Sequence, residues 1–194
     1  MLDLEAPATE LARIAAAVGD DQLTAPTPSP DMPVSVLLTH IIGLSMAFRD
    51  GARKIKGPTT STAPNAVAED LPAEWRQVLP ERLGELVAAW RDPAAWEGST
   101  MVGGVTLPAP AAAGFANNEL VMHGWDLARA TGQEFRVDQD NLEAAWQVVH
   151  DTPDDPEVRH GLFGPVIPQP EDAPLLDRTL GHGGRDPAWS PTRR

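Results

Sequence analysis

Glu119 and His123 stand four residues apart in the stretch NNELVMHGWDLARATG, which runs from Asn117 to Gly132. On an α-helix four residues rise about 6 Å and turn about 40° past one full turn, so the two side chains project together from one face. Ala112, Ala116, Leu120 and Leu127 share roughly that face, which turns the carboxylate and the imidazole inward. Removing an ionised group from water without a partner is costly, so either the two satisfy each other or something binds them. His40 raises the same question. In VSVLLTHIIGL it lies among Leu37, Ile41 and Leu44 on an apolar stripe and should face the same core. One imidazole from one helix and an i, i+4 carboxylate and imidazole from another make a three-ligand set for a divalent metal. Such a set leaves at least one coordination position open, as a catalytic metal requires. Zinc is the first reading, with nickel, manganese or iron compatible by ligand type.

Spacing alone does not decide the matter. With 12 glutamates and 5 histidines in 194 residues, chance supplies about 0.3 Glu-x-x-x-His pairs, so the motif is weak by itself. A helical ion pair explains Glu119 and His123 without a metal, and a core imidazole bonded to a backbone carbonyl explains His40. Asp126 returns to nearly the same face one turn beyond His123. It reads either as a partner that orients a ligand histidine or as a solvated, ion-paired carboxylate near the helix end. Asn118 and Arg49 are candidates for the mouth of the site. Trp125 points to the opposite side, and Arg129 suits a surface ion pair better than an acidic substrate. His150, His160 and His182 lie in or near loops and read as solvent-facing.

The elements that must position these groups are helical. Leu11, Ile14, Ala15 and Val18 recur at helical spacing and predict a first helix over Pro7–Val18, with Pro7 in its first turn. A second helix, with Asp31 as N-cap and Pro33 in its first turn, should reach Phe48 or Lys54. The polar loop GPTTSTAPNAVAED separates it from a third, over about Pro72–Arg91, which Pro80 should kink or restart. A short extended piece is expected at Met101–Leu107. The long helix Pro110–Thr131 follows, closed by Gly132, and then a shorter helix over Asp138–Val149. From about residue 151 the composition turns to proline, glycine and acid, with a last short helix at Pro174–Leu180. Strand signals are nearly absent and no repeat is found. The fold class expected is all-α, an antiparallel four-helix bundle with short extra C-terminal helices, as one domain over residues 1–194.

Composition narrows the chemistry. A net charge of −13 argues against general affinity for nucleic acid or anionic lipid, which need clustered Lys and Arg. There is no cysteine, so the chain offers no disulfide, thiol nucleophile or thiolate ligand of its own, and any thiol must come from a partner or substrate. The acidic N-terminus lacks the pattern of a secretion signal. The longest apolar run, Val34–Phe48, falls short of the roughly 20 residues that cross a bilayer. A cytoplasmic location is expected.

LLTHIIG, followed some eighty residues later by NNELVMHGWDLARATGQ, resembles the DinB/YfiT-like metalloprotein superfamily, in particular its actinobacterial branch with the mycothiol-dependent maleylpyruvate isomerase N-terminal domain. The ending LFGPVIPQPEDAPLLDRTLGHGGRDPAW resembles that of small single-domain members of this branch. The resemblance implies an antiparallel four-helix bundle with a metal held near one end, and His40, Glu119 and His123 match the metal ligands. Isomerases of that kind carry a second, C-terminal domain, which 194 residues are too short to hold. The endings of relatives are also more apolar than LGHGGRDP, whose glycines should loosen the segment. The resemblance implies a metal-dependent thiol S-transferase or thiol-dependent isomerase, with mycothiol as cosubstrate and a small electrophile as substrate. A metal-dependent hydrolase and a non-catalytic metal-binding protein are the alternatives. No catalytic base is identified, and a homodimer is left open.

Overall fold

The structure, a computed structural model, describes residues 1–63 and 66–191. Helix α1 (Glu5–Ala16) buries Leu11, Ile14 and Ala15 on one face, and Pro7 lies in its first turns as its missing N–H allows. Helix α2 (Val34–Ala52) buries Leu37, Leu38, Ile41 and Phe48. Its entry differs from expectation. Pro33 occupies the N-cap position with no side-chain cap, and Asp31 lies two residues upstream in a left-handed turn at φ 61°.

The polar loop after α2 contains a one-turn helix, α3 (Pro58–Ser61), and a 3-10 turn at Ala68–Asp70; Pro64 and Asn65 lie outside the described residues. Thr59 of α3 donates its hydroxyl to Asp50 at 2.8 Å, tying the short helix to α2. Helix α4 (Trp75–Trp90) begins three residues later than expected and runs unbroken through Pro80. Proline removes one N–H from the ladder. Here Leu79 and Leu83, both buried on either side of it, hold the two halves against the same core.

The expected extended piece is a hairpin: β1 (Ser99–Val102) pairs antiparallel with β2 (Val105–Pro108), Val102 facing Val105 across the turn. Gly103 and Gly104 form that turn at φ 60° and 82°, the left-handed pair a tight two-residue hairpin needs. The hairpin seats on α2 where Gly51 leaves room; a Cβ there would stand 2.8 Å from Val102 Cγ2. Thr100 donates to the Gly51 carbonyl at 2.5 Å.

Helix α5 (Ala109–Thr131) is the longest at 23 residues and ends, as its sequence indicates, on Gly132 in the left-handed conformation. Helix α6 (Gln139–Asp151) is capped by Asp138, whose carboxylate accepts the Asn141 N–H at 3.0 Å. Two short helices, α7 (Pro156–Arg159) and α8 (Leu175–His182), complete the described chain. The fold is all-α apart from the hairpin. Helices α1 and α2 each pack against both α4 and α5, closing a ring of four around one apolar core. No helix among the described residues is long and apolar enough to cross a membrane.

The C-terminal segment is held tightly, contrary to the loosening its glycines suggested. A Cβ on Gly183 would stand 2.3 Å from Met122 Cε, and one on Gly184 would stand 2.6 Å from Gly164 Cα. The glycines therefore permit close approach. Arg159, buried, donates to the Gly164 carbonyl at 2.9 Å and to the His182 carbonyl, fastening two stretches of the segment together. His182 is half-buried rather than turned to solvent, while His150 and His160 are exposed. The His182 and His150 rings pack on Trp146, with centroid distances of 4.9 and 4.8 Å.

Candidate metal centre

Helices α2 and α5 cross where His40 faces Glu119 and His123. One potential ligand atom from each of the three lies within 4.8 Å of the others. The two imidazoles meet edge to face at 5.1 Å. His123 Nε2 lies 2.9 Å from Glu119 Oε2, the i, i+4 contact expected from the helical spacing. His40 Nδ1 is buried and has no hydrogen-bond partner. The carbonyl bond that would have made His40 an ordinary core histidine is not formed.

Behind His123 stands Asp126, fully buried, with Oδ2 3.1 Å from His123 Nδ1. An ionised carboxylate can only accept, so Nδ1 carries the proton and Nε2 faces Glu119 and His40. Asp126 is itself held by Arg185, whose guanidinium donates to it through Nη2 at 3.0 Å and Nε at 3.4 Å. The remaining Arg185 donors reach the Gly183 carbonyl at 3.0 Å and Ser29 Oγ at 3.4 Å.

Electrostatics follow from this arrangement. Burial alone would lower the His123 pKa, but the bonds and charges of Asp126 and Glu119 outweigh it and raise it to about 9. Burial, reinforced by the charge on His123, pushes His40 down to about 4. For Glu119, burial pushes upward, yet the two imidazoles hold it below the ordinary carboxylate value. Burial likewise opposes ionisation of Asp126, and Arg185 with His123 overcomes it. The cluster thus gathers one neutral imidazole, one imidazolium whose Nε2 proton lies against a carboxylate, and a balancing Asp–Arg pair. A divalent cation has the ligand types it needs at the place that proton occupies.

The cluster forms part of the wall of a cavity of about 590 Å³. Its other walls come from α2, the β1–β2 hairpin, α5 and the C-terminal segment around Phe163 and Arg185. Asn118, buried on α5, is among its lining residues. Arg49 is not. Its guanidinium is engaged by Asp50 at 2.8 Å and Glu85 at 2.5 Å, away from the cluster. Arg129 bonds the Trp189 carbonyl, and Trp125 packs with Met122 and Leu180 in a small separate cluster. The sequence reading missed Arg185. The one signal available was HGGR itself, in which paired glycines allow the backbone to come close enough for the next side chain to enter the core.

Fold and cluster together define an all-α protein of the DinB-like kind, with two imidazoles and a carboxylate gathered on a cavity wall. The chain belongs to the mycothiol maleylpyruvate isomerase N-terminal domain family, whose model matches residues 4–128. Two solved structures share the fold. A crystal structure of the mycothiol-dependent maleylpyruvate isomerase superposes with a TM-score of 0.57 at 17% identity, over 75% of this chain and 66% of the other. That of a histidine-to-alanine mutant of a mycothiol-dependent maleylpyruvate isomerase gives 0.64 at 15% identity, over 93% and 87%. The chain thus spans 66% of the length of the first of these structures. No curated protein matches it.

Proposed function

We propose that the protein is a metal-dependent enzyme that adds a low-molecular-weight thiol, mycothiol, to a small electrophile, either transferring the thiol or using it to isomerise the electrophile. His40, Glu119 and His123 would hold the metal, zinc first among the candidates. The observation that carries this reading is the convergence of those three groups from α2 and α5 on the wall of a 590 Å³ cavity. The unpartnered Nδ1 of His40 supports it, because a buried ring nitrogen left without a hydrogen bond is unfavourable unless a ligand completes it. Membership of a family described by a mycothiol isomerase, and the two solved structures, support the choice of thiol.

When bound, a divalent cation supplies the electrostatic stabilisation that keeps a thiol ionised at neutral pH. The chain's own residues do the rest. Asp126 fixes the His123 ring and keeps its proton on Nδ1, and Arg185 fixes Asp126. The apolar walls shield the reacting atoms from water, which protects the thiolate and strengthens the surrounding electrostatics. Transfer forms one S–C bond as either a bond from that carbon to a leaving group or a C=C π bond breaks, and the thiol's proton goes with the leaving group or to the neighbouring carbon. Isomerisation forms the same bond, allows rotation about the former double bond, and expels the thiolate with no net proton change.

Metal-loaded protein should conjugate mycothiol to monochlorobimane faster than the thiol reacts alone. No acceleration with zinc, nickel, manganese or iron would overturn this reading, and turnover without thiol would favour hydrolysis.

A further inference from the structure

We propose that the junction of α6 and α8 is an acid-sensitive latch: a proton on the His182 imidazole loosens α8 from α6 and draws Arg185 away from Asp126, behind the candidate metal centre. The device depends on that ion pair and on the packing around Trp146, whatever the cluster binds.

Three basic groups crowd one indole. The His150 ring stacks on Trp146 of α6, one helical turn before it, at 4.8 Å and 18°. The Arg178 guanidinium of α8 lies over the Trp146 ring at 4.7 Å. His182, the last residue of α8, meets the same ring edge-on at 4.9 Å and comes within 5.7 Å of the His150 ring. Arg159 of α7, buried, adds a fourth by donating to the His182 carbonyl.

The charged and titratable groups that act on His182 are His150 from α6, Arg159 from α7, Arg178 from α8 and Asp154 from the turn between α6 and α7. Half-buried, His182 would hold a positive charge against two guanidiniums and an imidazole, with the exposed Asp154 to offset them. Burial first, then the neighbouring cations, keep its pKa below the ordinary value of 6.5. Once α8 leaves α6 the ring takes up its proton at the ordinary value. Docking is therefore most stable above about pH 6.5 and weakens as pH falls through the docked-state value.

The connection to Asp126 is short and stiff. Gly183, Gly184 and Arg185 follow His182 directly, and their backbone N–H groups donate to the carbonyls of Thr179, Gly181 and Leu180 at 2.9, 3.0 and 2.8 Å, which wraps the turn back onto the helix. The end of α8 and Arg185 thus move as one piece. Arg185 in turn donates to Asp126 through Nη2 at 3.0 Å and Nε at 3.4 Å. A shift of α8 off Trp146 is thereby a shift of the guanidinium off Asp126. One proton changes such an opening by no more than about tenfold per pH unit, so acid raises the share of open molecules without emptying the closed state.

Hydrogen exchange of the full chain, followed by NMR from about pH 7.5 to 5, tests the latch. Below about pH 6.5 the protection of the Gly183, Gly184 and Arg185 amides should fall by up to roughly tenfold per pH unit, while that of Val121 in α5 is kept. The Arg185 Nε–H held by Asp126 should exchange in step with the three amides. His182→Gln keeps a polar side chain that takes no proton, and its protection should stay constant over the same range. Arg178→Met removes one opposing charge and should shrink the fall. An unchanged pH dependence in His182→Gln would overturn the latch, and so would loss of protection at the three amides with the Arg185 Nε–H still held. Titration of the His182 ring in the unaltered chain decides the matter even where that variant fails to fold. A midpoint below 6.5 upholds the latch, and one above it, by which the proton would tighten α8, overturns it.

Discussion

Asp126 and Arg185 lie 59 positions apart in the chain and 3.0 Å apart in space, both with side chains almost sealed from solvent. This pair joins the C-terminal segment to α5 directly behind His123. Removing one member strands the other as a buried charge. Arg185→Met should therefore destabilise the protein by about 3–5 kcal/mol, and adding Asp126→Asn should restore a large part of that loss. Chemical denaturation of the two variants checks it; equal, additive losses would mean the pair is not coupled.

Asp126 should also matter to the cation, because it sets which nitrogen of His123 is free. Asp126→Ala is expected to weaken zinc binding by about 10–100-fold. Competition against a chromophoric chelator measures this, with Glu119→Ala as the comparison in which a ligand itself is lost. Unchanged affinity in Asp126→Ala would remove Asp126 from the account.

Asn118 is buried on α5 with its side-chain oxygen unpartnered. That oxygen costs stability, so Asn118→Leu should be neutral or more stable by about 1 kcal/mol. Thermal unfolding of ligand-free protein gives the sign. Clear destabilisation would mean the amide has a structural partner.

Acid stability should depend on Asp50. The Arg49 guanidinium, helped by Thr59 and opposed by burial, holds this carboxyl below its ordinary value of 3.8. A lowered folded-state pKa contributes stability that is fully present above the unfolded value and is lost as pH falls through the folded one. Asp50→Asn should thus be less stable than the unaltered chain near neutrality, and the difference should shrink as pH drops below about 4. Urea titrations across that range would show it; a constant difference would dissociate Asp50 from the acid limb.

The parts of this protein that were legible in its sequence are those governed by helical period. Apolar spacing placed α1, α2 and α5, Gly132 marked the end of α5, and the stripe around His40 turned that imidazole toward Glu119 and His123. What escaped the reading depends on contacts between distant segments. Gly183 and Gly184 look the same in sequence whether they loosen a chain or let it approach Met122 and Gly164, so the burial of Arg185 could not be foreseen. Pro80 suggested a kink or a restart because the loss of an N–H is local, whereas the packing of Leu79 and Leu83, with which α4 continues without a restart, is not. The edge-on packing of His182 against Trp146 depends likewise on α6 meeting α8.

X-ray absorption at the zinc edge, on protein loaded with one equivalent and then given mycothiol, probes the proposed centre most directly. The expected spectrum has nitrogen and oxygen neighbours from two imidazoles and one carboxylate, gains a sulfur at about 2.3 Å when the thiol is added, and loses an imidazole contribution in His40→Ala. A spectrum unchanged by His40→Ala, or one that never acquires sulfur, would contradict it.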